Sequence, residues 1–290
     1  MTAETDEPDP TASLLAFFGT ELTRIRTELR LSQEKTAKLA HTTQSMLSKI
    51  EAGKRVPSKE LAHDLDAALK NGGHFGRLYP LVIRYAYPSW FLPFIELERD
   101  AVSMRVFESQ IIPGLLQTED YARAMLAAVR PDNLDDLVAA RMSRQEVFER
   151  DTPPRAWFVV DEQALRRPIG GADVWGAQLE HLLKAGEDPR TVIQVIPRKV
   201  LAHPGLAGPF TLLRFEDGTQ PPPSRTSSTP RRQEAAPDVL YVDGFSQGRI
   251  ALDASEVAAG AHAYDLLRAV ALSPEESAEL IGGYLEEPEQ

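Results

Sequence analysis

Residues 32–57, SQEKTAKLAHTTQSMLSKIEAGKRVP, decide how the first part of this 290-residue chain folds. Ser32 is a good N-cap and opens a short helix, Gln33 to Ala40. His41-Thr42-Thr43 breaks it, and Gln44 to Ala52 forms the next helix, closed by Gly53. Upstream, Phe18, Leu22, Ile25 and Leu29 recur at three- and four-residue steps along one helix face, while Glu21, Arg24 and Glu28 fall elsewhere on it. Downstream, Pro57-Ser58 begins a further helix in which Leu61, Leu65 and Leu69 align before Asn71-Gly72-Gly73 ends it. Several short helices across residues 18–72, with a three-residue turn between the second and third, make a helix-turn-helix domain.

The stretches Ser32-Gln33-Glu34, Thr42-Thr43-Gln44-Ser45 and Leu47 to Arg55, followed by Pro57, resemble the Cro/C1-type (XRE) family of phage repressors and their bacterial relatives. The resemblance implies an all-α, lambda repressor-like domain in which Leu47 and Ile50 lock the recognition helix into the core. Gln44, Ser45 and Lys49 would then face the major groove, with Thr43 and Ser48 beside them in the DNA-binding set. Gln33, at the start of the second helix, and Lys54 and Arg55, after the third, would hold phosphates. The chemistry suits these roles, because a Gln amide pairs bidentately with adenine and Lys donates to guanine O6 and N7. Helix N-terminal amides add to the phosphate grip. By the same resemblance Arg26 and Glu51 form a structural ion pair rather than DNA contacts. Two departures stand out. His41 occupies a turn position usually held by Gly, and Thr36 and Ala40 stand where the family prefers larger apolar residues, so the second and third helices should pack less firmly.

The net charge of −11 divides unevenly along the chain. Residues 1–18 hold four acids and no base, residues 19–80 hold eleven Lys/Arg against seven Asp/Glu, and residues 81–290 hold 21 bases against 32 acids. Phosphate contact therefore falls to the basic module, and the acidic remainder should repel DNA. With no cysteine, disulfides, thiolate metal sites and cysteine nucleophiles are excluded, and a reducing cytoplasm is the expected location. No apolar run approaches the ~20 residues of a membrane span, and the start carries no leader pattern. Residues 1–17 read as a short acidic, disordered tail.

Residues 73–84 read as a hinge-like linker, and the aromatic cluster Tyr79, Tyr85, Tyr87, Trp90, Phe91 and Phe94 as a packing junction between domains. From 95 to 150 the pattern is helical, with one loop at Ile112-Pro113-Gly114. The period then changes: Trp157–Val160, Val192–Ile196, Phe210–Leu213 and Val239–Val242 are short β-rich runs. A helix around Val174–Lys184 sits between the first two, and helices at Ser255–Leu272 and Ser273–Leu285 close the chain. The fold class is α+β: an all-α helix-turn-helix domain followed by a larger α+β domain with a mostly antiparallel sheet. Residues 220–238 are proline-rich and of low complexity, a disordered loop.

Trp90-Phe91, Pro113 to Thr118 with Tyr121-Ala122, Asp161-Glu162, Leu165 to Gly171, Gln178-Leu179, His203-Pro204-Gly205 and Leu272-Ser273-Pro274 carry a second resemblance, spanning about 85–285. It is to the DUF5753 domain of actinobacterial, antitoxin-like regulators. The resemblance implies a small acidic protein, encoded alongside, as the binding partner. No phosphate loop, nucleophile elbow or dinucleotide fingerprint is present, so no catalytic residue and no cofactor is expected. His181 and His203 with Asp161 and Glu162 invite a metal reading, but their spacing matches no recurrent ligand pattern, and Asp161-Glu162 followed by Arg166-Arg167 is more cheaply read as a surface ion-pair cluster. The remaining readings of this domain are a partner-binding module and a small-molecule sensor. For the whole chain the expectation is a DNA-binding transcriptional regulator, not an enzyme, reading a palindromic double-stranded operator as a homodimer.

Overall fold

The computed structural model describes residues 8–216, 238–244 and 247–286. Residues 1–7 of the expected tail and 220–237 of the expected loop lie outside them. The helices are α1 (Leu14–Glu28), α2 (Gln33–Leu39), α3 (Gln44–Glu51), α4 (Lys59–Leu69), α5 (His74–Ala86), α6 (Leu92–Asp100), α7 (Glu119–Ala127), α8 (Leu134–Ser143), α9 (Glu162–Leu165), α10 (Ala172–Ala185), α11 (Ala254–Val270) and α12 (Pro274–Glu286). The chain divides into two compact units, one of residues 1–92 and 126–143, the other of residues 93–125 and 144–290.

The first unit is helical. Ser13, Ser32, Thr43 and Ser58 each cap their helix by accepting a backbone N–H three residues on, which satisfies one of the donors a helix start leaves open. Leu15, Phe18, Leu22, Leu47, Ile50, Leu61, Leu65 and Phe75 fill the core. The expected linker at 73–84 is corrected here, because it is most of α5. Gly73 supplies no side-chain cap, but Asp66 of α4 does the work from outside: its two carboxylate oxygens accept the N–H groups of Phe75 and Gly76, both at 2.8 Å. Phe75 then stacks beside Phe18, ring centroids 4.9 Å apart, and is fully buried. A Gly-Gly start and Pro80 inside the helix disguised it in the sequence. Of the aromatic cluster, Tyr79 to Phe91 belong to this unit and Phe94 to the other.

The second unit is built on a six-stranded sheet: β1 (Ser103–Glu108), β2 (Arg155–Asp161), β3 (Thr191–Ile196), β4 (Phe210–Arg214), β5 (Val239–Val242) and β6 (Arg249–Ala251). The strand order is β3-β2-β1-β4-β5-β6. The sheet is mixed rather than mostly antiparallel. β1, β2 and β3 run parallel, and β4, β5 and β6 pair antiparallel. The physical reason is connectivity: helices fill the β1–β2 and β2–β3 connections, as parallel neighbours require. β1, one of the two central strands, falls in a stretch expected to be helical. Its six residues, SMRVFE, hold no strict alternation of apolar and polar positions, and pairing with β2 and β4 makes them extended. α11 covers one face, packing Val257, Tyr264 and Leu267 with Phe107, Val159, Phe210 and Leu212. The β3 edge is closed by Leu272 N–H on Val195 C=O at 2.9 Å and by Ser277, whose hydroxyl accepts Val195 N–H at 3.0 Å.

Candidate nucleic-acid interface

The turn between α2 and α3 is set by His41, whose φ of +52° lies in the left-handed region. Thr42 N–H reaches back to Ala37 C=O at 2.9 Å, closing the α2 C-terminus. α3 ends the same way, with Gly53 at φ +68° and Lys54 N–H on Lys49 C=O at 2.8 Å. Leu47 and Ile50 anchor α3 in the core, at most 1% exposed. Thr43, Gln44 and Ser45 are exposed at its N-terminal end, Ser48 and Lys49 half-buried along its flank. Lys54 is exposed and Arg55 half-buried in the loop that follows. α1 approaches the other end of α3 so closely that a Cβ at Gly19 would lie 2.4 Å from Glu51 C=O.

Beneath this surface sits a charged knot. Arg26 Nε and Nη2 donate to the two carboxylate oxygens of Glu51 at 2.5 and 3.0 Å, and Arg26 Nη1 donates to Leu31 C=O at 2.9 Å. Gln33 Nε2 donates to Glu51 at 2.7 Å. The amide expected at a phosphate is therefore engaged inside the protein, tying the start of α2 to the end of α3. Thr36, fully buried on α2, leaves its hydroxyl without a partner among the described residues.

A contact that the sequence did not suggest fixes the loop after α3. Ser143, at the end of α8, accepts Val56 N–H at 2.8 Å and donates to Ala139 C=O at 2.7 Å. Tyr87 hydroxyl likewise donates to Ala140 C=O at 2.7 Å. The helix that braces the Lys54-Arg55 loop is thus supplied from 87 residues further along the chain. No local pattern encodes such a partner.

The motif residues of the second unit are mostly scaffold. Gln178 accepts Thr118 N–H and donates to Leu116 C=O, both at 2.7 Å, while Gln117 donates to Ile112 C=O. Tyr121 hydroxyl accepts Ile112 N–H, so the Ile112–Thr118 loop is tied at every turn. Glu162 accepts from Arg198 N–H and Tyr284 hydroxyl. His203 Nε2 lies 3.0 Å from Asp161, and its side chain is 2% exposed. His181 stands apart on α10. Among the described residues no group of three His, Cys, Asp or Glu could hold a metal ion, and no helix is long and apolar enough to cross a membrane.

Comparison with known families agrees with this division. A helix-turn-helix domain family matches residues 18–74, and a domain of unknown function, DUF5753, matches residues 91–283. No curated protein and no solved structure matches the chain. α8, which braces the recognition loop, lies within the second of these matches, so the helical unit borrows from it. With two thirds of its length covered by that match, the chain belongs to the DUF5753 family and carries a helix-turn-helix domain at its N-terminal end.

Proposed function

We propose that this protein is a transcriptional regulator that reads a specific double-stranded DNA site through α3. The observation that carries the reading is the split surface of α3. Thr43, Gln44 and Ser45 stand exposed at its tip, Leu47 and Ile50 are locked below, and Lys54 and Arg55 follow in a braced loop. Lys49 and Ser48 lie along the flank within reach of base edges or sugar-phosphate. Gln33 acts through Glu51 rather than on phosphate, positioning α2 against α3. One recognition helix covers few base pairs, so the protein binds as a homodimer to palindromic half-sites about one helical turn, ~10 bp, apart. The test is a genome-wide footprint followed by binding titrations with Gln44→Ala and Lys54→Gln. Gln44→Ala should cost ~1–3 kcal/mol at the operator and relax preference at particular bases, whereas Lys54→Gln should weaken all duplexes alike. Equal loss on operator and random DNA for both variants would remove the assignment.

The DUF5753 region then serves as the receiving part of the regulator, binding a small acidic partner protein in the manner of an antitoxin. The exposed Leu201 and Leu206, 88% and 68% accessible, support a protein-contacting role. A partner alters operator occupancy only if it binds the free and DNA-bound forms unequally, and the coupling is reciprocal. The measurement is capture with the full chain, because cutting near residue 85 would strand α8 from Val56. A second reading, a ligand-responsive repressor without a protein partner, is favoured by an arginine-lined cavity in the same unit.

A further inference from the structure

At the amino ends of the parallel strands, the sheet carries one cross-strand row of unusual composition. Ser103 of β1 is in register with Arg155 of β2 on one side and Arg214 of β4 on the other. Arg190 stands immediately before β3, and its carbonyl accepts the N–H of Ala156, the neighbour of Arg155. Val102 continues the ladder, donating to Arg214 C=O at 2.9 Å and accepting Arg155 N–H at 3.0 Å. Four adjacent strands thus present Arg, Arg, Ser and Arg side by side, ~4.8 Å per strand.

These residues line a cavity of about 470 Å³ at the sheet end, within the size range of small-molecule sites. None of the three guanidiniums has a carboxylate partner among the described residues. Glu216 also lines the cavity and has an interaction of its own. The contrast one row inward is sharp: Arg105 reaches Asp238 and Asp265 and lies over the Tyr264 ring. Like charges side by side on a sheet repel and lower stability, and this chain has acids to spare at a net charge of −11. Three forks around a concavity, without a carboxylate partner among the described residues, are what a bound multivalent anion would neutralise. Guanidinium forks match phosphate oxygens bidentately, and Ser103 adds a hydroxyl donor between them.

We propose that this cavity binds a small molecule bearing two or more linked phosphate groups. The site lies wholly within the sheet unit and does not depend on the DNA-binding reading. The test is calorimetric titration of the full chain with inorganic tripolyphosphate at fixed ionic strength, with citrate as the carboxylate comparison. A saturable one-to-one isotherm is expected, and citrate should bind at least about tenfold more weakly. Arg155→Gln, Arg190→Gln and Arg214→Gln should each weaken binding about tenfold or more, and the triple variant should abolish it. Arg→Lys at the same positions, which keeps the charge and loses the fork, should fall between. Because the triple variant removes repulsion, it should melt no lower than the parent without ligand; if it misfolds, the Lys series gives the decision. Lys54→Gln with Arg55→Gln must leave tripolyphosphate binding unchanged, since those residues could capture polyphosphate in place of DNA. Binding that survives the triple variant and vanishes with the Lys54/Arg55 pair overturns the proposal, as do an absent isotherm and equal binding of citrate. An acidic peptide that binds through the three arginines while tripolyphosphate does not would overturn it too, reassigning the row to protein docking.

Discussion

In the helical unit the caps of α1 to α4 come from Ser13, Ser32, Thr43 and Ser58, each bonded three residues away. In the sheet unit α9, α11 and α12 are capped just as locally, by Asp161, Asp253 and Ser273, but the loops and the edge strand are tied by distant side chains. Gln178 bonds backbone 60 and 62 residues off, Gln194 reaches Leu272 across 78, and Tyr284 meets Glu162 across 122. Neighbours in sequence hold most of the first unit together, and the second exists only once remote segments have met. Long-range pairing must offset loop-closure entropy before it contributes, so the sheet unit depends more heavily on each buried amide. The helical unit departs from its local rule at the Arg26–Glu51 pair with Gln33, at the Asp66 cap of α5, and at the Ser143 and Tyr87 contacts with α8. The Arg26–Glu51 pair and the Ser143 brace adjoin α3 and the loop that follows it.

The sharpest way to break this contrast is at the first of these departures. Glu51→Ala leaves a largely buried Arg26 guanidinium without its carboxylate and Gln33 without its acceptor, and should cost ~3 kcal/mol. Replacing both partners by apolar residues, Arg26→Met with Glu51→Leu, should recover most of that loss in denaturant titrations. If the single variant loses under ~1 kcal/mol, the pair is not what orients α3. Next in size is Gln178→Leu, which orphans Thr118 N–H and Leu116 C=O in the sheet unit at ~2–3 kcal/mol. Calorimetry should place that loss in the sheet unit's transition; a purely helical-unit effect would contradict the division. Gly19→Ala drives a methyl against the backbone carbonyls of Ile50 and Glu51 and should cost ~2 kcal/mol, with operator affinity falling as α3 tilts.

Smaller effects sharpen the comparison. Thr36→Val replaces a buried hydroxyl that has no partner among the described residues by a methyl of the same shape, so stability should rise by ~1 kcal/mol. A drop in melting temperature would mean that the hydroxyl has a partner in solution. The smallest effect concerns pH. Burial, and then Lys184, hold the His181 imidazole below its ordinary pKa. The neutral ring is favoured by folding, so its contribution is present above the unfolded value near ~6.5 and is lost as pH falls further. The parent should therefore lose more stability between neutral and mildly acidic pH than His181→Gln does; parallel curves would exclude the effect.

Legibility tracked locality. Caps, apolar spacing and the Gly53 stop placed α2 to α4 in the sequence, and four β-rich runs became β2 to β5. For α1 the spacing found the helix but not its start: residues 14–17, expected in the disordered tail, are its first turn, capped by Ser13 and with Leu15 and Ala16 buried. Helices α10, α11 and α12 were readable from start signals and periodicity. β1 was not, because SMRVFE has no strict alternation and becomes a strand only between two partners. Nor was α5, whose cap is an aspartate on another helix. The three arginines stood in view just outside β-rich runs, but nothing in their spacing says that they share a row.

By itself the sequence determined the helix-turn-helix, the basic-then-acidic division of charge and the residues at the tip of α3, because those rest on contacts within a few positions. Tertiary structure alone decided the mixed strand order, the capture of Gln33 by Glu51, the bracing of the α3 loop by Ser143 and the convergence of Arg155, Arg190 and Arg214. Each of these joins residues whose separation in the chain exceeds a helical turn or a hairpin. Register between distant strands and helices is set by packing and by satisfying buried hydrogen bonds, which the order of residues does not display.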